Sequence, residues 1–253
     1  MKILNDVRLL YWRKVLETLR NPIFIVTSMM TPVLYLALFS PLLKKLAGAP
    51  GFQTGDVLDV FVPGLLVVFA FLSGLFVGFG LIDEVRNGVI ERFRVTPTSR
   101  LAILAGSVLR DLTNVIIITI LFTVIAIPFG FHVHFAGYLI MLVLIGMLIV
   151  TTSSFAYAIG LILKDEDRYA PIVQGLNLPI LLLSGMILPM SLAPKWLQVV
   201  AHFNPVFYCV EAARFLSAGH IHELAVGEAF GVMIVLTVVV VAWATRTFNT
   251  SIS

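Results

Sequence analysis

Apolar residues run through this chain in six long blocks, at about 23–43, 58–82, 101–129, 135–163, 169–189 and 227–245. A helix of about 20 apolar residues crosses a hydrocarbon core of about 30 Å, so each block is long enough to span. The third and fourth exceed that length, which predicts tilt or projection beyond the bilayer. Between the fifth and sixth blocks, Ser191–Val226 is half apolar and broken by Pro194, Pro205 and Gly219. Such a stretch reads as short helices at the interface or a re-entrant pair.

The first twenty residues have a different pattern. Leu4, Val7, Tyr11, Val15 and Leu19 recur at spacings of three and four, with Lys2, Asp6, Arg13, Glu17 and Arg20 on the opposite side. That predicts an amphipathic helix lying in the membrane surface. Asn21-Pro22 ends it and opens the first span, since proline suits a first helical position. A basic segment before an apolar run also invites a signal-peptide reading, with Ala47-Gly48-Ala49 as a cleavage site. The run Ile23–Leu43 is too long for the roughly 7–15 residues of a signal core, so it is read as a retained span.

Composition agrees. Of 253 residues, 59% are hydrophobic and 12% charged, against roughly 25% charged in a soluble domain. So few charges leave lipid as the solvent for much of the surface. The single cysteine, Cys209, excludes an intramolecular disulfide or a cysteine-based metal cluster. The distribution of charge sets the orientation. With both termini in the cytoplasm, twelve lysines and arginines fall inside and four outside (Lys44, Lys45, Lys195 and Arg214), leaving Arg110 within the third span. This is the bias of the positive-inside rule. The expected organisation is an interfacial helix over 1–22, a transmembrane domain over 23–246 and a cytoplasmic tail over 247–253. The sequence has no phosphate-binding loop pattern of its own.

The segment Leu81–Arg100, LIDEVRNGVIERFRVTPTSR, carries most of the internal charge. Leu81, Val85, Val89 and Phe93 repeat every four residues, while Asp83, Glu84, Arg86, Glu91, Arg92 and Arg94 crowd the remaining faces. This predicts a second amphipathic helix, with Thr98 and Ser99 as N-caps for the next span. It reads either as a solvated loop with a basic bias or as a docking element lying flat on a partner protein.

Three stretches give the chain a resemblance. Phe61–Val67 (FVPGLLV), the charged segment Leu81–Arg100, and Phe203–Gly219 (FNPVFYCVEAARFLSAG) together resemble the type-2 ABC exporter permeases, or ABC-2 type permeases. These are the membrane subunits of bacterial drug, polyketide and polysaccharide exporters. The matching residues are Pro63, Gly64, Glu84, Gly88, Glu91, Arg92, Thr96, Pro97, Ser99 and Arg100, then Asn204, Pro205, Tyr208 and Arg214. The family often has Glu-Arg-Glu before that glycine, where this chain has Asp83-Glu84-Val85-Arg86-Asn87.

The resemblance implies an all-α membrane protein of six spans, with an N-terminal interfacial helix, a cytoplasmic coupling helix and short extracytoplasmic re-entrant helices before the last span. It implies two permeases, identical or paralogous, resting on two separate ATPase subunits that use ATP and Mg, with no cofactor in this chain. On that reading Glu84, Arg86, Gly88, Glu91, Arg92 and Arg94 form the coupling surface. It also implies a substrate cavity between the second and fifth spans of facing subunits. Phe69, Phe71 and Phe76 are candidates in one span, and Gln174, Asn177 and Leu181 in the other. Asn204, Pro205, Tyr208, Glu211 and Arg214 are candidates for an outer gate. The expected location is a bacterial cytoplasmic membrane, with lipid but no nucleic acid as a partner.

Each remaining polar group has a structural and a functional reading. Arg110 and Asp111 are intramembrane charges, hence functional candidates, unless the long third helix begins in the cytoplasm and sets them at the interface. Thr151, Thr152, Ser153 and Ser154 read as close helix packing rather than ligand contact. Gln174 and Asn177, three apart on one face, suit either packing or a substrate path. Glu211 and Arg214 could pair on a helix, and Asn204-Pro205 reads as N-cap and first helical residue. The external histidines His132, His134, His202, His220 and His222 include two His-x-His pairs. Alternate residues converge only in extended chain, and the first pair has no carboxylate or cysteine close in sequence, which disfavours a metal site.

A secondary transporter would carry acidic residues at mid-span, and a membrane enzyme would need converging groups at one depth. Here the acidic residues cluster in loops and the histidines lie on the other side. The function that the resemblance implies is ATP-driven export of a hydrophobic drug or secondary metabolite, with a lipid-linked polysaccharide or other glycan as the alternative.

Overall fold

The computed structural model describes residues 7–9, 11, 12, 15, 16, 22–46, 57–88, 100–186 and 190–251. All regular structure among them is helical. The helices are α1 (Pro22–Leu46), α2 (Val57–Arg86), α3 (Arg100–Ala126), α4 (Phe135–Leu163), α5 (Glu166–Leu183), α6 (Lys195–Ala201), α7 (Pro205–Ser217) and α8 (Leu224–Ser251). A 3-10 turn, Ile127–Phe129, continues α3. The end of the bundle holding Arg86, Lys164 and Ser251 is called inner, in keeping with the charge bias.

Four of these helices are long and apolar enough to cross a membrane: α2, α3 with its 3-10 extension, α4 and α8. In α1 the described apolar stretch is shorter, Val26–Pro41, within a helix of 25 residues that contains Pro32 and Pro41. The fifth block departs most from expectation. Its helix begins earlier, at Glu166, and ends at Leu183 instead of Pro189. Its first turn is charged, so the apolar part from Tyr169 covers only about 22 Å at 1.5 Å per residue. Gly185, at a φ of 72°, turns the chain. The short helices α6 and α7 come next, as expected for the broken stretch. At the other end of the chain, the tail expected at 247–253 is helical through Ser251, and Phe248 is buried.

Helix α4 is the axis of the bundle and packs along α2, α8 and α3. It is apolar all round because it has neighbours on most sides. The hydroxyl run in its middle is a packing device. Thr151, Thr152, Ser153 and Ser154 are all buried. The Thr151 hydroxyl lies 2.8 Å from the Met147 carbonyl and 2.7 Å from the Thr237 hydroxyl of α8. Thr152 fills the space beside Gly74 of α2. Hydroxyls that return to their own helix leave no polar group unmatched in an apolar interior.

The two ends are tied differently. At the outer end the His132 backbone N–H donates to Asp59 at 2.9 Å, and its ring lies 3.2 Å from the same carboxylate. The His134 ring sits 2.8 Å from the Ser217 carbonyl. These two histidines therefore hold the α3–α4 connection against α2 and α7 separately, instead of converging. Among the described residues no three metal-ligating side chains come together. At the inner end Asp165 caps α5 by accepting from the Asp167 N–H at 2.9 Å. The Tyr169 hydroxyl crosses to the Leu75 carbonyl at 2.6 Å, over Gly78. A second core of Leu81, Leu104, Val108, Tyr157, Leu161 and Phe248 closes that end.

Helices α4 and α7 touch where Gly137 faces the backbone carbonyl of Leu216, leaving no room for a Cβ. Gly137→Val should lower the stability of the purified protein by about 1–3 kcal/mol, the usual cost of overpacking. Gly231→Ala, which meets open space, should cost nothing. Thermal unfolding in detergent measures both, and equal midpoints would refute the close contact.

Candidate functional site

A cleft of about 730 Å³ opens between α1, α2 and α3, with Ile149 of α4 behind it. Helix α1 contributes Thr27, Ser28 and Thr31. Helix α2 contributes Phe69, Leu72, Ser73, Phe76, Val77 and Gly80, spaced by three and four residues along one face. Helix α3 contributes Arg110, Asp111, Asn114, Val115 and Ile118.

The charged pair at this cleft is closed by a tyrosine. The Arg110 Nε and Nη2 donate to Asp111 Oδ1 at 3.0 and 2.7 Å. The Tyr157 hydroxyl, from α4, donates to Asp111 Oδ2 at 2.5 Å and accepts from Arg110 Nη2 at 3.2 Å. The Asp111 side chain is only 4% exposed, and Arg110 is 24% exposed at the cleft. A buried carboxylate needs such partners, because an unpaired ion in a low dielectric is costly. The three groups together are neutral and lock α3 to α4. From Leu112 to Phe129 the chain rises about 27 Å, close to the hydrocarbon thickness. A span over that stretch would leave Arg110 and Asp111 at its inner boundary, which is the interfacial reading. Tyr11, from the helical N-terminal segment, reaches Thr113 at 3.0 Å, near the same level. Val15 is buried there, while Leu9 and Trp12 are exposed. An exposed Leu and Trp suit a helix bedded in the interface.

The structure separates the substrate-path candidates. Phe69 and Phe76 line the cleft. Phe71 does not; it is buried in the main core. Gln174, Asn177 and Leu181 lie on α5 and contribute nothing to the cleft. Gln174 is exposed, and Asn177 and Leu181 are half-buried. Ser73 and Tyr157 were not singled out by sequence. Ser73 is legible in hindsight from its spacing to Phe69 and Phe76. Tyr157, 46 residues from Asp111, gives no sequence signal.

At the coupling segment the helix expected through Leu81–Arg100 is interrupted. Glu84 and Arg86 belong to the last turn of α2, which stops at Arg86. The Asn87 and Gly88 N–H groups close the end onto the carbonyls of Asp83 and Val85, at 2.9 and 3.1 Å. Gly88 has a φ of 68°, a left-handed conformation that favours glycine at a helix end. The four-residue stripe is therefore divided at Gly88. Leu81 and Val85 pack into the inner core, whereas Glu91, Arg92 and Arg94 lie outside the described residues.

The outer candidates act as anchors. Asn204 caps α7, accepting from the Val206 N–H at 3.1 Å, with Pro205 at the first helical position. Its amide also reaches the Ile180 carbonyl at 3.4 Å. Tyr208 packs against Phe207 and His202. The expected Glu211–Arg214 hydrogen-bonded pair is not formed. Instead Arg214 donates from Nε to the Val60 carbonyl at 3.0 Å, and from Nη2 to Gly185 and Met186 carbonyls at 2.6 and 3.2 Å. One guanidinium thus binds the outer end of α2 and the turn after α5 to α7. Its fan of donors satisfies carbonyls that the broken helix leaves open.

An all-helical bundle with four membrane-length helices among the described residues defines a multi-pass membrane protein. The comparisons identify which kind. The family model "ABC-2 type transporter" matches residues 5–216, and the chain belongs to that family. The ycf38 protein of Cyanophora paradoxa is 27% identical over 215 residues, covering 84% of this chain and 74% of that protein. The daunorubicin resistance ABC transporter permease protein DrrB1 of Streptomyces coeruleorubidus is 25% identical over 213 residues, covering 82% and 73%. The inner membrane transport permease YadH of Escherichia coli K12 is 25% identical over 228 residues, covering 84% of each. The chain is therefore a multi-pass permease subunit rather than an enzyme, and ATP is used by a separate ABC ATPase partner.

Arg214→Ala removes three charge-assisted bonds to carbonyls of the outer bundle. At about 1.5–3 kcal/mol for a hydrogen bond to a charged group, the loss should lower the unfolding midpoint by on the order of 10 °C. Arg214→Lys, without the planar fork, should fall between. An Arg214→Ala midpoint equal to that of the parent would show that the anchor carries no weight.

Proposed function

We propose that this permease exports a hydrophobic drug or secondary metabolite outward across a bacterial cytoplasmic membrane, with both termini on the cytoplasmic side. The observation that carries this reading is the alignment, over 82% of the chain, with a permease named for daunorubicin resistance. The cleft beside Phe69 and Phe76 supports it, since its volume of about 730 Å³ suits a drug-sized ligand.

In this mechanism α1 and α5 complete six crossings, and two permeases, identical or paralogous, stand on two ATPase subunits. Closure of the ATPases pushes on the inner end of α2. The contact surface comprises Glu84, Arg86 and Gly88 together with Glu91, Arg92 and Arg94. The N-terminal helix, joined to α3 through Tyr11 and Thr113, carries the same push to a second helix. Movement of α2 against α5 of the facing permease opens the path. Gln174, Asn177 and Leu181 line its far side. The α6–α7 hairpin around Asn204, Pro205, Tyr208, Glu211 and Arg214 forms the outer lip.

Two measurements test the proposal. Co-expressed with its ATPase in a drug-sensitised bacterium, the permease should give energy-dependent efflux of a fluorescent anthracycline. No efflux, with accumulation of a lipid-linked glycan in a strain lacking the permease, would favour the glycan reading instead. The paired reversal Glu91→Arg with Arg92→Glu should abolish efflux and reduce ATPase co-purification without changing permease folding. Normal transport and co-purification would overturn the coupling assignment.

A further inference from the structure

The cleft between α1, α2 and α3 has a direction. Counted from the inner helix ends, Thr27, Ser28 and Thr31 lie within about 8–14 Å. Arg110 stands at the inner boundary of the hydrocarbon, level with Phe76. Phe69 and Ile118 rise about 10–12 Å further toward the bilayer centre, at 1.5 Å per residue. The wall therefore changes from hydroxyl and guanidinium groups near the inner surface, through Ser73 and Asn114, to Phe69 and Ile118 above. An inner-leaflet amphiphile has the same order, with its polar end at the surface and its apolar body pointing inward.

The charge balance narrows the occupant. Arg110 is already neutralised by Asp111, and Tyr157 bonds both. The cluster therefore carries no net positive charge to select an anion. The cleft offers instead a set of hydrogen-bonding side chains: the Ser28, Thr31 and Ser73 hydroxyls and the Asn114 amide. These groups suit an uncharged, oxygen-rich head. Beside them stands Phe76 and above them Phe69, seven residues apart on one face, offering surfaces for an apolar body. Phe76 is 49% exposed, available to such a body. The cavity's size fits one drug-sized molecule.

From this gradient we infer that the cleft is a lateral binding site for a neutral, oxygen-rich amphiphile drawn from the inner leaflet. It lies within a single chain, on α1, α2 and α3, and includes none of the α5 candidates. Calling the occupant cargo waiting to be exported rests on the proposed export function, whereas the presence of the site does not.

The test uses the purified full chain in nanodiscs, without ATPase, and an alkyl glucoside carrying a diazirine on its alkyl chain. Photolabelling should saturate and map to peptides containing Phe69–Phe76 and Asn114–Ile118. Ser73→Phe, which fills the cleft, should reduce labelling at least fivefold. Val124→Phe, at an exposed position on α3 outside the cleft, should leave it unchanged. Asn114→Leu should weaken labelling while retaining the fold, which separates loss of the polar contact from misfolding. Labelling that never saturates and spreads over all lipid-facing helices would overturn the inference. So would equal competition by phosphatidylglycerol, marking an ordinary lipid position, or loss of labelling when a second permease copy is present, marking a subunit interface. A failure of drug efflux with saturable labelling would sink the export reading and leave the site standing.

Discussion

Hydrocarbon offers no hydrogen bonds, so a chain that breaks its helix inside or beside a membrane must supply its own. Arg214 meets this constraint at the outer end of the bundle. Helix α5 stops short, the chain turns at Gly185, and the open carbonyls of Gly185 and Met186 fall to one guanidinium that also holds Val60. Once those are satisfied, α7 can sit against α2 and α4, with α6 beside α5, instead of continuing outward. Asn204 contributes the cap that starts α7. His132 and His134 complete the same end by tying the α3–α4 connection to Asp59 and Ser217. The outer end is thus held by polar contacts to backbone and carboxylate, over an apolar core centred on α4.

The inner end is built on another principle. Its helices extend past the hydrocarbon and stay together through a small apolar core that includes Leu81, Tyr157 and Phe248. The Arg110–Asp111–Tyr157 cluster lies at the boundary between that core and the lipid-level part of the bundle. Charges on the last turn of α2 then remain at the end of a rigid element whose other end is fixed by Arg214. A push applied at Glu84 or Arg86 would act along one continuous helix, with Pro63 as its only internal proline. Under the proposed coupling, this continuity carries an event in a separate ATPase to the outer side.

Much of this was legible in the sequence. Four spans follow from apolar length, and α4 was bounded at Phe135 and Leu163 by pattern alone. The hydroxyl run of α4 and the Asn204 cap followed from small-residue packing and capping rules. Local rules failed where distant partners decide. The fifth block is apolar through Pro189, yet its helix ends at Leu183, where Arg214 and Asn204 take over its carbonyls from farther along the chain. Glu211 and Arg214 have the spacing of an ion pair, but backbone carbonyls win the guanidinium. A four-residue stripe ran through Leu81–Phe93 because apolar residues on the two sides of Gly88 happen to keep one period. Phe71 differs from Phe69 and Phe76 only in register, which residue type alone did not weigh. The cleft itself was invisible because its three walls are separate spans.

Orientation underlies export direction, the coupling surface and the inner-leaflet cleft alike. It can be measured with single cysteines in a Cys209→Ser background, the native thiol being buried. Glu223→Cys, between α7 and α8, and Arg168→Cys, at the start of α5, occupy opposite ends of the bundle and are exposed. A membrane-impermeant maleimide should label Glu223→Cys in intact cells, and Arg168→Cys only after the membrane is opened. The reverse pattern would contradict the account.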